Sequence, residues 1–224
     1  MKLKEYEEKE NKRKKINIGH LENGVDFIDI SAAYIGENVV IGKGTTIYPC
    51  VVLEGEVSIG ENCVIGQNTR IVDSSVGDNT EIQSSVVLES KIGSNTTIGP
   101  FAYLRPASDI GNHCKVGDFV EVKNSTLADG SKASHLTYIG DSDVGQGVNL
   151  GCGVVFVNYD GKNKYSSVVK DGAFIGCNVN IISPVVVGEN AYIAAGSTVT
   201  KDVPANSLLV AREREQIKEG WFKK

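Results

Sequence analysis

Large rings and paired sulfurs are scarce in this chain. Of 224 residues, aromatics make up 7%, with one Trp, one Met, five Pro and three His. So few rings exclude a core built on aromatic side chains. The 41% hydrophobic content and 25 glycines suit a narrow interior of Ile, Val and Ala instead. No Cys-x-x-Cys pair occurs among Cys50, Cys63, Cys114, Cys152 and Cys177, and five cysteines cannot complete a disulfide framework. A reducing cytoplasm is the simplest compartment. The scattered His and Cys lack metal-ligand spacing, so no metal is expected. Neither G-x-x-x-x-G-K-[ST] nor G-x-G-x-x-G is present to cradle a nucleotide, and no G-x-S-x-G elbow marks a hydrolase. No run reaches the length of a transmembrane helix, and the N-terminus lacks a signal peptide's apolar stretch. The formal net charge of −5 makes no general case for nucleic-acid or membrane partners.

What the chain has is a period of six. Ile35, Ile41, Ile47, Leu53, Ile59, Ile65 and Ile71 recur at every sixth position. The step returns from Ile92 to Val122 and from Ile175 to Val199. This period is neither the helical 3.6 nor simple strand alternation. It is the hexapeptide signature of a parallel β-helix, in which each short strand forms one side of a coil. Four residues after each bulky residue stands a small or β-branched one: Val39, Thr45, Val51, Val57, Cys63 and Thr69. Such residues pack near a corner, so Cys63, and Cys114 likewise, read as core side chains. Polar pairs such as Glu61-Asn62 and Asp78-Asn79 suit the corner turns.

Along the chain, residues 1–30 form a charged leader, read as a solvated helix. Residues 31–203 form the solenoid of about nine coils. Residues 204–224 form an irregular C-terminal arm carrying Trp221. The ladder breaks once, over Val157 to Val168, and a solenoid that interrupts its ladder expels a loop that can carry function. The two ends need polar caps, for which leader and arm are candidates.

Of the histidines, His20 and His113 read as solvated surface. His135 stands out in Ser131-Lys132-Ala133-Ser134-His135-Leu136-Thr137-Tyr138, a stretch poor in bulky apolar residues. Arg105 and Lys123 lie whole hexads earlier and hence on stacked coils, and Glu121 shares a strand face with Lys123. The residues alone leave open whether His135 is a catalytic base or a surface residue.

Five segments then become familiar: Gly99 to Pro106, Ser131 to Asp141, Val157 to Gly161, Ile193 to Val199 and Lys218 to Trp221. In order and over nearly the whole chain they resemble the C-terminal half of the bifunctional GlmU family. That family joins an N-terminal N-acetylglucosamine-1-phosphate uridyltransferase to a C-terminal glucosamine-1-phosphate acetyltransferase. The resemblance implies an all-β, left-handed parallel β-helix, trimeric, with active sites in clefts between subunits. It implies acetyl-CoA as co-substrate, glucosamine-1-phosphate as acceptor, and no uridyltransferase activity in this chain. His135 matches the catalytic base, an imidazole being suited to accept the amine's proton near neutral pH. Glu121 is expected to orient that imidazole or stabilise its cation. Arg105 and Lys123 match the residues that hold the sugar phosphate, Tyr138 and Asn149 match sugar-binding positions, and Lys164 of the expelled loop could reach the phosphate from a neighbouring subunit. Asn158 and Tyr159 match residues near the acetyl group, Asn158 positioning the amine or the thioester. Cys152, Cys177, Ala195 and Arg212 match coenzyme A contacts. The family often has Ala and Ser where Cys152 and Cys177 stand, which puts side-chain hydrogen bonding at Cys177 in doubt. Two other readings remain: a hexapeptide acyltransferase for another amine, and a non-catalytic scaffold.

Overall fold

The computed structural model describes residues 2–221. Strands of two to four residues alternate with tight turns, because each hexad carries one inward residue flanked by outward ones and then a corner. Thr46 pairs in parallel with Val64 and Val64 with Glu81, so these coils stack 18 and 17 residues apart, and the coil that carries the ejected loop stacks 25 residues on, Asn149 pairing with Phe174. Among the described residues the strands form three parallel sheets, the faces of a three-sided solenoid. The first face has 11 strands (Asp26–Phe27 to Leu208–Leu209), the second 10 (Tyr34–Ile35 to Thr198–Val199) and the third 9 (Val40–Ile41 to Val186–Val187). The result is a solenoid of about ten turns, the left-handed hexapeptide β-helix that the sequence leads one to expect.

The interior is columnar. Ile47, Ile65, Ile82 and Ile98 stack in register on the first face, and each is fully buried. The small hexad positions close the corners and satisfy backbone groups. The Thr45 hydroxyl donates to Gly60 O and accepts from Cys63 N, and the Thr96 hydroxyl does the same for Gly111 O and Cys114 N. Cys63 and Cys114 are indeed core side chains, and burial pushes both thiols up. Corner residues enter the left-handed region, where Asn is tolerated: Asn62, Asn79 and Asn95 have φ of 55°, 54° and 57°.

Three details differ from the hexad reading. The ladder begins before Ile35, at Asp26–Phe27, and continues past Val199 to Leu208–Leu209, which pairs with Tyr192–Ile193. Helix α1 (Leu3–Glu22) is not merely solvated. Its buried Asn17 donates to Ile30 O and Ala33 O at 2.9 and 3.1 Å, and Arg13 reaches Ser31 O while lying over the Tyr34 ring. The helix thus docks on the first coil through Arg13 and Asn17, which a charge count does not single out, with Ile16 packed against the core. Finally, the excursion between Val155–Val157 and Ser167–Val169 is ordered. Asp160 accepts from Lys162 N, Asn163 N and the Tyr165 hydroxyl, and Tyr159 bridges Lys164 antiparallel.

Truncating the column should cost far more than truncating the surface. Ile82→Ala, fully buried, is expected to lose about 2–5 kcal/mol, whereas Val40→Ala, on an exposed strand position, stays within about 0.5 kcal/mol in urea unfolding.

Candidate active site

The first face carries His135 at the end of the strand Lys132–His135. Its register partner one coil earlier is Asp118, whose Oδ1 lies 2.5 Å from His135 Nδ1. The hydrogen bond from the imidazole holds the Asp118 carboxyl below the usual carboxylate range. Lys132 pairs with Asn149, Asn149 with Phe174 and Phe174 with Tyr192. Three residues further on in each strand, His135, Cys152, Cys177 and Ala195 therefore occupy equivalent corner positions on four successive coils. Coil-to-coil bonds from Asn178 N to Cys152 O and from Gly196 N to Cys177 O fix that column. Arg212 completes it, donating from Nη1 to Ala195 O at 2.5 Å. With adjacent strands about 4.8 Å apart, the column from His135 to Ala195 rises about 14 Å.

The second face carries the cations. Arg105 donates to Glu121 Oε1 at 2.8 Å. Lys123 contacts both oxygens of Asp141 at 3.1 Å. Asp141 is nearly buried, in the left-handed region (φ 50°), and also accepts from Asn124 at 2.8 Å and from Asn158 Nδ2 at 2.5 Å. Burial opposes its charge, but these donors outweigh it and keep the carboxyl below its ordinary range. Burial likewise opposes the charge on Lys123, yet the Asp141 carboxylate leaves its pKa raised. Lys164 lies beside Lys123, and that neighbour, with Arg105 further off, lowers the pKa of Lys164. Three cations against Glu121 and Asp141 leave one positive charge in excess, which suits an anion. Asn158 also meets the Tyr138 hydroxyl at 3.4 Å. This junction needs Gly140, because a Cβ there would run into both the Tyr138 hydroxyl and the Asn158 amide.

Set against the sequence expectations, one chain gathers Arg105, Lys123, Tyr138, Asn158 and Lys164 on one side of the corner and the His135 to Arg212 column on it. One expectation is corrected. Glu121 does not orient the imidazole: Glu121 stacks on Tyr138 and pairs with Arg105, while Asp118 stands at His135. Lys164 interacts with Lys123 of its own chain. Asn149 is not brought to the sugar-binding group. It faces outward on the first face, whereas Tyr138 lies on the second. Tyr159 is exposed and turns its hydroxyl to Gly161 O at 2.8 Å. Cys177 is exposed and Cys152 half-buried. The reading missed Asp118 and Asp141. Both lie one coil from a recognised residue, 17 before His135 and 18 after Lys123, so the coil arithmetic that stacked Arg105 on Lys123 reaches them. Among the described residues no group of three His, Cys, Asp or Glu side chains could hold a metal ion.

Comparison with known proteins adds a family context. Residues 166–201 match the bacterial transferase hexapeptide (six repeats) model, and residues 35–108 match the GMPPB C-terminal domain model. The chain is 59% identical over 212 residues to a protein named bifunctional protein GlmU from Clostridioides difficile, covering 95% of this chain and 46% of that protein. It is 55% identical over 212 residues to the protein of the same name from Clostridium beijerinckii, covering 95% of this chain and 47% of that one. The chain thus spans about half the length of these curated relatives and aligns with their C-terminal half. A solved Arabidopsis UDP-N-acetylglucosamine acyltransferase aligns over 79% of this chain and 69% of its own at 19% identity, with a TM-score of 0.47.

The depressed Asp141 carboxyl has a measurable sign. A folded pKa below the unfolded value near 3.9 stabilises the protein above that pH, and the contribution is lost as pH falls through the folded value. The stability gap between wild type and Asp141→Asn is expected to narrow below pH ~4 in denaturant titrations. A gap constant from pH 7 to 3 would contradict the assignment.

Proposed function

We propose, from the alignment with the C-terminal half of the bifunctional GlmU proteins, that this chain is a glucosamine-1-phosphate N-acetyltransferase. It moves acetyl from acetyl-CoA to the sugar's 2-amino group, giving N-acetylglucosamine-1-phosphate for UDP-N-acetylglucosamine and cell-wall precursor synthesis in the cytoplasm. Among the described residues no helix is long and apolar enough to cross a membrane, in keeping with that location. The observation that carries the reading is the corner column ending at His135, beside a cation cluster with one charge in excess.

In this reading coenzyme A lies along the column, in contact with Arg212, Ala195, Cys177 and Cys152, with its thioester toward His135. The rise of about 14 Å suits an extended arm. The sugar phosphate sits among Arg105, Lys123 and Lys164, where charge-assisted bonds are the strong ones. Tyr138 and Asn158 border the sugar and acetyl groups. His135 Nε2, which has no hydrogen-bond partner among the described residues, takes the proton as the amine attacks the thioester. The N–C bond forms, the C–S bond breaks, and the leaving thiolate acquires a proton. Holding both substrates in one cleft supplies much of the acceleration by removing the entropy of encounter. No cysteine nucleophile is needed, because the amine attacks directly.

Two features support assembly as a homotrimer with shared sites. Phe101, Phe119 and Leu136, each more than half exposed, occupy the corner position next to the Asp118–His135 pair on three successive coils. All three have positive φ (59°, 55° and 46°), where bulky side chains are costly, and the two Phe rings stack at 5.5 Å. A neighbouring copy covering this ridge would repay that cost by burying apolar surface.

The test is acetyl-CoA with glucosamine-1-phosphate, following free thiol. Wild type should turn over, His135→Ala should lose about 10²–10⁴-fold in kcat, and Arg105→Ala should raise KM for the sugar phosphate about 10- to 100-fold. Equal turnover by His135→Ala would place the base elsewhere. Phe119→Asp should shift the trimer to monomer in sedimentation, and an intact trimer would remove the ridge from the interface.

A further inference from the structure

One carboxylate, Asp118, stands at the base. Asp118 closes the strand Lys115–Asp118, and the strand Lys132–His135 lies directly on it. Three contacts set their relation. Leu136 N donates to Asp118 O at 2.9 Å, clamping the two corners backbone to backbone. A Cβ at Gly117 would collide with the Ser134 backbone, so the coils can approach this closely only with glycine there. The third contact is the 2.5 Å approach of Oδ1 to Nδ1.

We propose that Asp118 is a positioning residue for His135: it accepts the Nδ1–H and so keeps Nε2 unprotonated and aimed outward as the base. This rests on the acetyltransferase reading only for what Nε2 then does. Neutral imidazole carries one N–H, and the partner of one nitrogen decides which it is. An ionised carboxylate can only accept, so it selects Nδ1–H. The imidazole hydrogen bond holds the Asp118 carboxyl low, and Lys115 adds to this. No second acid competes for the ring, since Glu121 is taken by Arg105 and the equivalent position on the next coil is Cys152. When the amine gives its proton to Nε2, the imidazolium that forms faces the Asp118 charge.

The test pairs ¹⁵N NMR of the free protein with kinetics on the folded trimer. In wild type His135 should show a protonated Nδ1 and an unprotonated Nε2 above its titration. In Asp118→Ala the ring should revert to a mixture of tautomers. With acetyl-CoA and glucosamine-1-phosphate, Asp118→Ala should lose about 10- to 100-fold in kcat with KM within about threefold. That is less than the ~10⁴ lost when the buried Asp of a serine-protease triad becomes Asn, because Asp118 is partly exposed. Asp118→Glu should recover part of the loss. If Asp118→Ala folds poorly, Asp118→Asn serves in both arms, its amide no longer excluding the other tautomer. An unchanged tautomer in the variant overturns the proposal, as does an unchanged kcat. Wild-type inactivity on this substrate pair would count against the acetyltransferase reading alone, and the NMR arm would still decide the role of Asp118.

Discussion

The solenoid and the residue columns of the site depend on the in-register hydrogen-bond ladder that stacks one coil on the next. Each coil uses its backbone N–H and C=O groups on its neighbours, so a residue's place is set by its register partner on the coil beside it. Phe174 lies on Asn149 and Tyr192 on Phe174, and the same bookkeeping sets Cys152, Cys177 and Ala195 in line above His135. A single strand slip would move the inward Ile column outward and dissolve the corner column with it. Site geometry and fold stability therefore have one origin.

The chemistry sits where that regularity is locally altered. At the first corner, bulky Phe101 and Phe119 stand where other coils place Asn68, Asn178 or Gly153. On the second face, the coil path opens after Val157 to eject a loop that folds back and sets Lys164 beside Lys123. Asp141 ties these parts together, holding Lys123 and Asn158 with one nearly buried carboxylate. Asn149 faces away from this group, so one chain presents an incomplete set of the expected sugar contacts.

Legibility followed the same division. The hexads were plain because an inward residue every sixth position leaves little freedom in what it can be, and stacked coils could be counted by arithmetic. The shared strand face with Lys123 leads to Glu121, whereas counting one coil back from His135 leads to Asp118. Glu121 is 17 residues before Tyr138, and Asp118 is 17 before His135. The loop position of Lys164 was not readable, because its path follows Asp160's local hydrogen bonds and not the repeat. The docking of α1 was hidden for a related reason. Arg13 and Asn17 are polar residues in a charged helix, and only the carbonyls of residues 30, 31 and 33 give them a task.

The central claim is that one corner column guides the acyl donor to His135 while the cations of the adjoining face hold the acceptor. A crystal structure of the protein with coenzyme A and glucosamine-1-phosphate tests it directly. The account predicts the thiol near His135 Nε2, the pantetheine arm running past Cys152 and Cys177 toward Arg212, and the phosphate among Arg105, Lys123 and Lys164. Coenzyme A bound away from that corner, or a phosphate bound away from those three cations, would contradict it.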